Sequence, residues 1–178
     1  MTELGAIAWP PAPIKTERFV LREPEPRDRA ALIDLLASPE VGRYLGGPRS
    51  RGQLEREMPG SPARRPGRFM VDRDEAMIGQ VTLYRGTGHL RQAAGRVELG
   101  YLFLPEAWGH GYAAEACVAA LDWFATALPD EPVVLATQTA NTRSMRLASR
   151  LGFHEEERYE AYGAEQWLGV RPSAARPV

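Results

Sequence analysis

The chain of 178 residues holds one cysteine, Cys117, and one lysine, Lys15. With no second thiol there is no internal disulfide, which fits a reducing compartment. Cys117 falls on the apolar face of a helical pattern, the usual home of a buried free thiol rather than of a nucleophile. Nearly all of the 22 basic residues are therefore arginines, a bias expected of a GC-rich bacterial genome. They are matched by 23 acidic residues for a net charge of −1, which argues against a broad nucleic-acid surface or a polybasic membrane patch. The three histidines, His89, His110 and His154, share no ligand spacing, so no metal site is expected. No run approaches the ~18 apolar residues of a membrane span. The N-terminus carries an acid and three prolines in place of a basic start and an apolar core, unlike a signal peptide. The expectation is a cytoplasmic protein.

What is present is enough for one domain and too little for two, since a chain of this length buries about 70% of its unfolded surface as a single unit. The reading divides it into a flexible N-terminal extension (1–14), one domain (15–170) and a C-terminal tail (171–178). Strand patterns fall at Phe19–Arg22, Arg68–Asp72, Ile78–Arg85, Arg96–Leu104 and Val133–Thr137, with two more near Glu155–Tyr159 and Gln166–Val170. Helical spacing marks 27–37, 53–58, 111–128 and 142–151, with Pro39 opening a short turn through Tyr44. That order gives an α/β (α+β) chain, a mixed sheet flanked by helices. The loops 46–67 and 86–95 are rich in glycine, proline and arginine.

The stretch Val97 to Ala113, V-E-L-G-Y-L-F-L-P-E-A-W-G-H-G-Y-A, speaks most directly about chemistry. Pro105 stops a strand, because it cannot donate to a ladder. Gly109 and Gly111 then remove side chains where backbone N–H groups would approach a ligand, and the helix that follows points its positive end at the same place. That geometry suits phosphate oxygens. After the strand at 133–137, Asn141-Thr142-Arg143-Ser144 opens a second helix that stops at Leu151-Gly152-Phe153. Glu98 is a carboxylate set in an otherwise apolar strand.

The paired segments W-G-H-G-Y-A-A-E-A and N-T-R-S-M-R-L-A-S-R-L-G-F resemble the acetyl-coenzyme A core of the GNAT N-acetyltransferases, in particular the branch of ribosomal-protein N-terminal acetyltransferases (RimJ/RimL-like). The opening T-E-R-F-V-L-R-E-P from Thr16 to Pro24 is similar to the first strand of that branch. The resemblance implies a mostly antiparallel sheet of six to seven strands, splayed in the middle, and an acyltransferase that moves an acetyl group from acetyl-CoA to a primary amine in a ternary complex. It places the cofactor on Leu102, Phe103 and Leu104, on the turn Trp108, Gly109, His110, Gly111, Tyr112 and Ala113, and on Asn141, Arg143 and Arg146. At the head of the turn Trp108 replaces the usual long polar residue, so the pyrophosphate is held with less charge assistance.

Moving an acetyl group from sulfur to nitrogen requires a neutral amine, a stabilised carbonyl oxygen and a proton for the departing thiolate. Glu98 is the candidate base, against the alternative of a salt-bridged strand carboxylate. A backbone N–H near Leu102 would meet the carbonyl oxygen. The tyrosine that much of the family uses as proton donor falls here on Ala148; the branch without it has a serine three residues after the asparagine, which makes Ser144 the candidate donor. Ser144 could instead only satisfy a helix-start amide, and Asn141 is expected to cap that helix. The acceptor is a protein N-terminus or a small-molecule amine. The loops 46–67 and 86–95, with the early helices, are expected to line the acceptor side, and their arginines favour an acceptor with acidic character. A catalytically silent acyl-CoA sensor stays open as the alternative. Neither nucleic acid nor membrane is expected as a partner, and a homodimer through the terminal strands is allowed but not compelled.

Overall fold

The computed structural model describes Leu4, residues 7–86 and residues 93–173. His89, most of the 86–95 loop and the last five residues of the tail lie outside the described residues. Eight strands, β1 (Ile14–Lys15), β2 (Val20–Arg22), β3 (Arg68–Arg73), β4 (Ala76–Arg85), β5 (Val97–Phe103), β6 (Val133–Gln138), β7 (His154–Ala161) and β8 (Ala164–Arg171), form one sheet in the order β1-β2-β3-β4-β5-β6-β8-β7. Among the described residues five α-helices accompany them: α1 (Arg29–Ala37), α2 (Pro39–Gly42), α3 (Arg51–Glu57), α4 (Tyr112–Ala127) and α5 (Thr142–Arg150). The strand beyond the expected six to seven is β1, two residues paired with β2 and too short to leave a period in the sequence.

Every neighbouring pair is antiparallel except β5 and β6. Those two run parallel and touch only at Val97↔Val133 and Glu98↔Val134. Beyond Glu98, β5 continues to Phe103 and β6 to Gln138 without pairing to each other, so the sheet opens into a V. The splay that the resemblance implied is therefore present, and its apex is the Glu98 rung.

Side chains alternate across a strand, and the two faces of this sheet differ. On one, Val97, Leu99 and Phe103 of β5 pack with Ala116, Ala120 and Phe124 of α4 in the main core. The expected flexible extension joins this core. Leu4 is 1% exposed, and Trp9 meets Phe69 and Trp123 edge to face at 5.1 and 5.7 Å. Indole and leucine surface of this size is stabilised by burial at ~25 cal/mol per Å², which outweighs the prolines around it.

The opposite face carries two smaller apolar clusters. Leu32 and Leu35 of α1 cover Met70 and Met77, with Leu102 and Leu104 beside them, while Val134 and Leu168 form the second cluster with Ala93 and Tyr159. Between the clusters the register sets Arg68, Thr82 and Gly100 on one rung and Tyr84, Glu98 and Val134 on the next. A polar strip thus crosses the sheet at the apex of the V. Arg22 anchors the chain beside it, bonding both oxygens of buried Asp28 at 2.8 Å and Asp72 at 2.6 Å.

Candidate active site

A cavity of about 880 Å³ opens where β5 and β6 diverge, bounded by the end of β5, the turn before α4, the start of α5 and the short helix α2. The turn is shaped by two left-handed glycines, Gly109 at φ +82° and Gly111 at φ +77°, a region that other residues enter at a cost of ~1–2 kcal/mol. Among the described residues, none of the amides from Gly109 to Ala114 donates to a protein acceptor; the first helical bond is Glu115 N–H to the Gly111 carbonyl. Six consecutive N–H groups at a helix start make an anion site, because unsatisfied donors and the helix dipole both favour negative charge there.

Neighbouring side chains hold the turn rigid. Arg18 donates to the His110 carbonyl at 2.7 Å and to Glu115 at 2.6 Å, and its guanidinium lies 4.7 Å from the Tyr112 ring centre. Arg73 donates to the Tyr112 hydroxyl from the other side. Trp108 gives its indole N–H to the Phe103 carbonyl at 2.8 Å, which ties the turn to β5. Arg143 stacks on that indole at 5.3 Å. Arg143, Arg146 and Arg150 line the cavity from α5, and none of them meets a carboxylate among the described residues. Their spacing of three and four places them on one helical face. These guanidiniums bring to the cavity rim the positive charge that Trp108 does not carry.

Asn141 caps α5 by accepting the Ser144 N–H at 3.2 Å. Ser144 is buried in the cavity wall, and its Oγ lies 2.6 Å from the Tyr101 hydroxyl. Burial, offset in part by that hydrogen bond, pushes the Tyr101 phenol up to about 12. Tyr101 therefore stays protonated near neutrality and can donate to Ser144, leaving the serine proton free to face the cavity.

The amide expected to meet an acyl oxygen is placed differently. Leu104 N–H donates to Ile78 and Gly86 N–H donates to Arg96. In an antiparallel ladder hydrogen-bonded positions alternate, so the Leu102 amide turns toward β4. The amides of Tyr101 and Phe103 face the open side instead. Leu102 and Phe103 still line the cavity, whereas Leu104 packs with the α1 cluster. His110 also stays outside the cavity wall, its ring stacked on Tyr112 at 5.2 Å.

Glu98 does not line the cavity. It sits at the apex of the V, 8% exposed, and accepts a 3.1 Å hydrogen bond from Tyr84. Burial and the Glu98 charge both raise the Tyr84 phenol well above its ordinary range, which keeps that donor protonated. Alternation along β5 puts Glu98 on the polar-strip face and Tyr101, with Ser144, on the α4 face. Cys117, fully buried with its thiol pushed up by desolvation, is no nucleophile.

Sequence reasoning missed Tyr101, Arg150 and the contributions of Glu40 and Val41 from α2 and of Arg43 just after it. Arg150 was signalled by its spacing of four from Arg146. The others come from a strand position read as core and from a helix remote in sequence. Among the described residues no three His, Cys, Asp or Glu side chains converge as a metal site, and no helix is long and apolar enough to cross a membrane.

A parallel β5–β6 pair that opens over a glycine turn and a helix start defines an acyltransferase scaffold, and comparison with known proteins agrees. The model of the acetyltransferase (GNAT) domain matches residues 18–154, and the chain belongs to that family. It is 28% identical over 149 residues to the uncharacterized N-acetyltransferase p20 of Bacillus licheniformis, covering 79% of this chain and 82% of p20. YkkB of Bacillus subtilis is 29% identical over 154 residues, covering 78% and 83%. Among solved structures, a GNAT-family acetyltransferase from Bacillus anthracis superposes with a TM-score of 0.72 at 20% identity over 90% of this chain and 98% of its own. RimL, a ribosomal L7/L12 α-N-protein acetyltransferase solved with coenzyme A, gives 0.67 at 14% identity over 93% and 100%. At such identities these two structures speak to the fold.

Proposed function

We propose that the chain is an N-acetyltransferase that carries an acetyl group from acetyl-CoA to a primary amine by direct attack. The observation that carries the reading is the opening of the sheet just past Glu98. This gap joins the two faces of the sheet and leads to the six free amides of the turn. Bound there, acetyl-CoA supplies a thioester whose acyl carbon bonds the amine nitrogen as the carbon–sulfur bond breaks. The amides from Gly109 to Ala114 and the α5 arginines hold its phosphates. The Tyr101 and Phe103 amides, facing the gap, steady the carbonyl oxygen as it gains charge.

On the polar-strip face Glu98 takes the proton that the amine must lose. It lies about 10 Å along β5 from Tyr101, at ~3.3 Å per residue, so a water relay completes the path. On the α4 face Ser144, held by Tyr101, returns a proton to sulfur. Base and acid on opposite faces suit a transfer in which the amine arrives from one side and the thiol departs to the other.

Calorimetric titration with coenzyme A, followed by an amine panel read as released thiol, tests the proposal. Wild type is expected to bind and turn over. Glu98→Gln and Ser144→Ala should keep binding while losing turnover. No affinity for coenzyme A overturns the reading, and binding with no turnover on any amine favours the acyl-CoA sensor.

A further inference from the structure

Arg68 opens β3 on the polar strip, one rung from Glu98. Its Nε and one terminal nitrogen donate to the Gln80 side chain at 3.3 and 3.1 Å, and the other terminal nitrogen donates to the Ala63 carbonyl at 3.2 Å. A guanidinium has five N–H donors, so one remains free on each terminal nitrogen. No carboxylate pairs with it among the described residues. Asp28 lies within electrostatic range, but both of its oxygens are committed to Arg22 and one also accepts the Glu25 amide. Burial disfavours the Arg68 charge most, and Arg65 lies near enough to add repulsion. Half-buried cations are ordinarily paired, and this one is crowded by a second cation.

Gly100 shares the rung with Arg68 and Thr82, and the Thr82 hydroxyl oxygen lies 2.7 Å from where a Cβ would stand, so Thr82 rather than a residue-100 side chain covers the strip there. Two strands and one same-face step separate Arg68 from Glu98, about 12 Å between Cα positions at ~4.8 Å per strand and ~3.4 Å per residue.

We propose that this strip seats the acceptor, and that Arg68 pairs with a carboxylate carried several bonds from the attacked amine. The inference rests on the acetyl-transfer reading and narrows its substrate to acidic amines, such as peptides with an aspartate or glutamate close behind the N-terminus. Two free N–H groups on adjacent nitrogens match the two oxygens of a carboxylate side by side. The amine then falls toward Glu98 and the gap.

The test compares wild type and Arg68→Gln on matched peptides that differ only by Asp against Asn at the second or third position, with a phosphoserine peptide and a polyamine as further arms. Wild type is expected to favour the acid over its amide at least about tenfold in kcat/KM, mainly through KM. Arg68→Gln should bring that ratio close to one, and Arg68→Lys should restore part of it. Equal use of acid and amide by wild type, preference for the phosphopeptide or the polyamine, or a ratio unchanged in Arg68→Gln would each overturn the inference while leaving acetyl transfer standing. Coenzyme A binding without turnover on any amine would overturn both.

Discussion

Removing the Ser144 hydroxyl is the sharpest probe of the proposed chemistry. Tyr101, its phenol pushed up to about 12, lies 2.6 Å from the Ser144 hydroxyl and can donate to it, and in the proposed mechanism this leaves the serine proton for the departing sulfur. A positioned acid contributes typically ~10²–10⁴-fold. The low end applies here, because a thiol with an ordinary pKa of about 8.5 already departs tolerably as thiolate. Ser144→Ala should therefore cost about 100-fold in kcat near neutrality, and the deficit should shrink as pH rises past about 8.5. Tyr101→Phe keeps the serine but loses the donor that orients it, about tenfold for a hydrogen bond worth ~1.4 kcal/mol. Since Tyr101 acts through Ser144, the double variant should be no slower than Ser144→Ala alone. Stability gives an independent check. Ser144→Ala leaves the half-buried Tyr101 hydroxyl without this partner, at a cost of about 1 kcal/mol, part of which Tyr101→Phe on the same background should return in urea unfolding. Full activity of Ser144→Ala below neutrality, or multiplicative losses in the double variant, would refute this account.

Three further substitutions probe the frame that positions the site. Gly111→Ala places a Cβ 3.5 Å from the nearest atom, on Arg18, so its cost is the left-handed backbone, ~1–2 kcal/mol; calorimetry should show coenzyme A affinity falling several-fold. Gly79→Ala would push a Cβ to 2.5 Å from the Phe103 ring and 2.6 Å from the Leu102 carbonyl. The β4–β5 backbone cannot yield easily, so thermal unfolding should reveal a loss of about 3 kcal/mol. Burial alone would raise the Asp28 carboxyl, but hydrogen bonds from Arg22 and the Glu25 amide, with the Arg22 and Arg27 charges, hold it below its ordinary 3.8. Its contribution is therefore present above about pH 4 and lost as pH falls through the depressed value. Asp28→Asn should cost ~3–5 kcal/mol at neutrality and flatten the acid limb of the stability profile, both read by urea titration against pH.

The glycine turn, the Asn141 cap and the helices around them were legible because each rests on local chemistry: a left-handed backbone, an orphan amide, a 3.6-residue period. Strand alternation within 97–104 was legible too, but not its partner. Only the pairing of β5 with β6 for two rungs makes Glu98 an apex residue, and only the β4–β5 register turns the Leu102 amide away from the gap. The same limit hid Tyr101, whose place among apolar strand residues gave no hint of a serine 43 positions later. Trp9 shows the converse. Prolines at 10, 11 and 13 read as a loose extension, yet a single indole finding Phe69 and Trp123 draws the segment into the core.

These long-range placements share one cause, and it bears on mechanism. A strand carries two chemistries at once, because successive residues serve opposite faces. β5 offers Glu98 to the polar strip, Tyr101 to the α5 serine, and the Tyr101 and Phe103 amides to the gap between them. Three roles in acyl transfer can thus be met within six consecutive residues without any two competing for the same space. The price is rigidity: a shift of one residue in the β4–β5 register would exchange the faces and send Glu98 into the main core beside Leu121 and Phe124. The buried Gly79 and the close fit of Phe103 against it resist that slip. Register at this hairpin, rather than any single side chain, is what keeps Glu98 and the Tyr101–Ser144 pair on separate sides of the sheet, as the proposed mechanism requires.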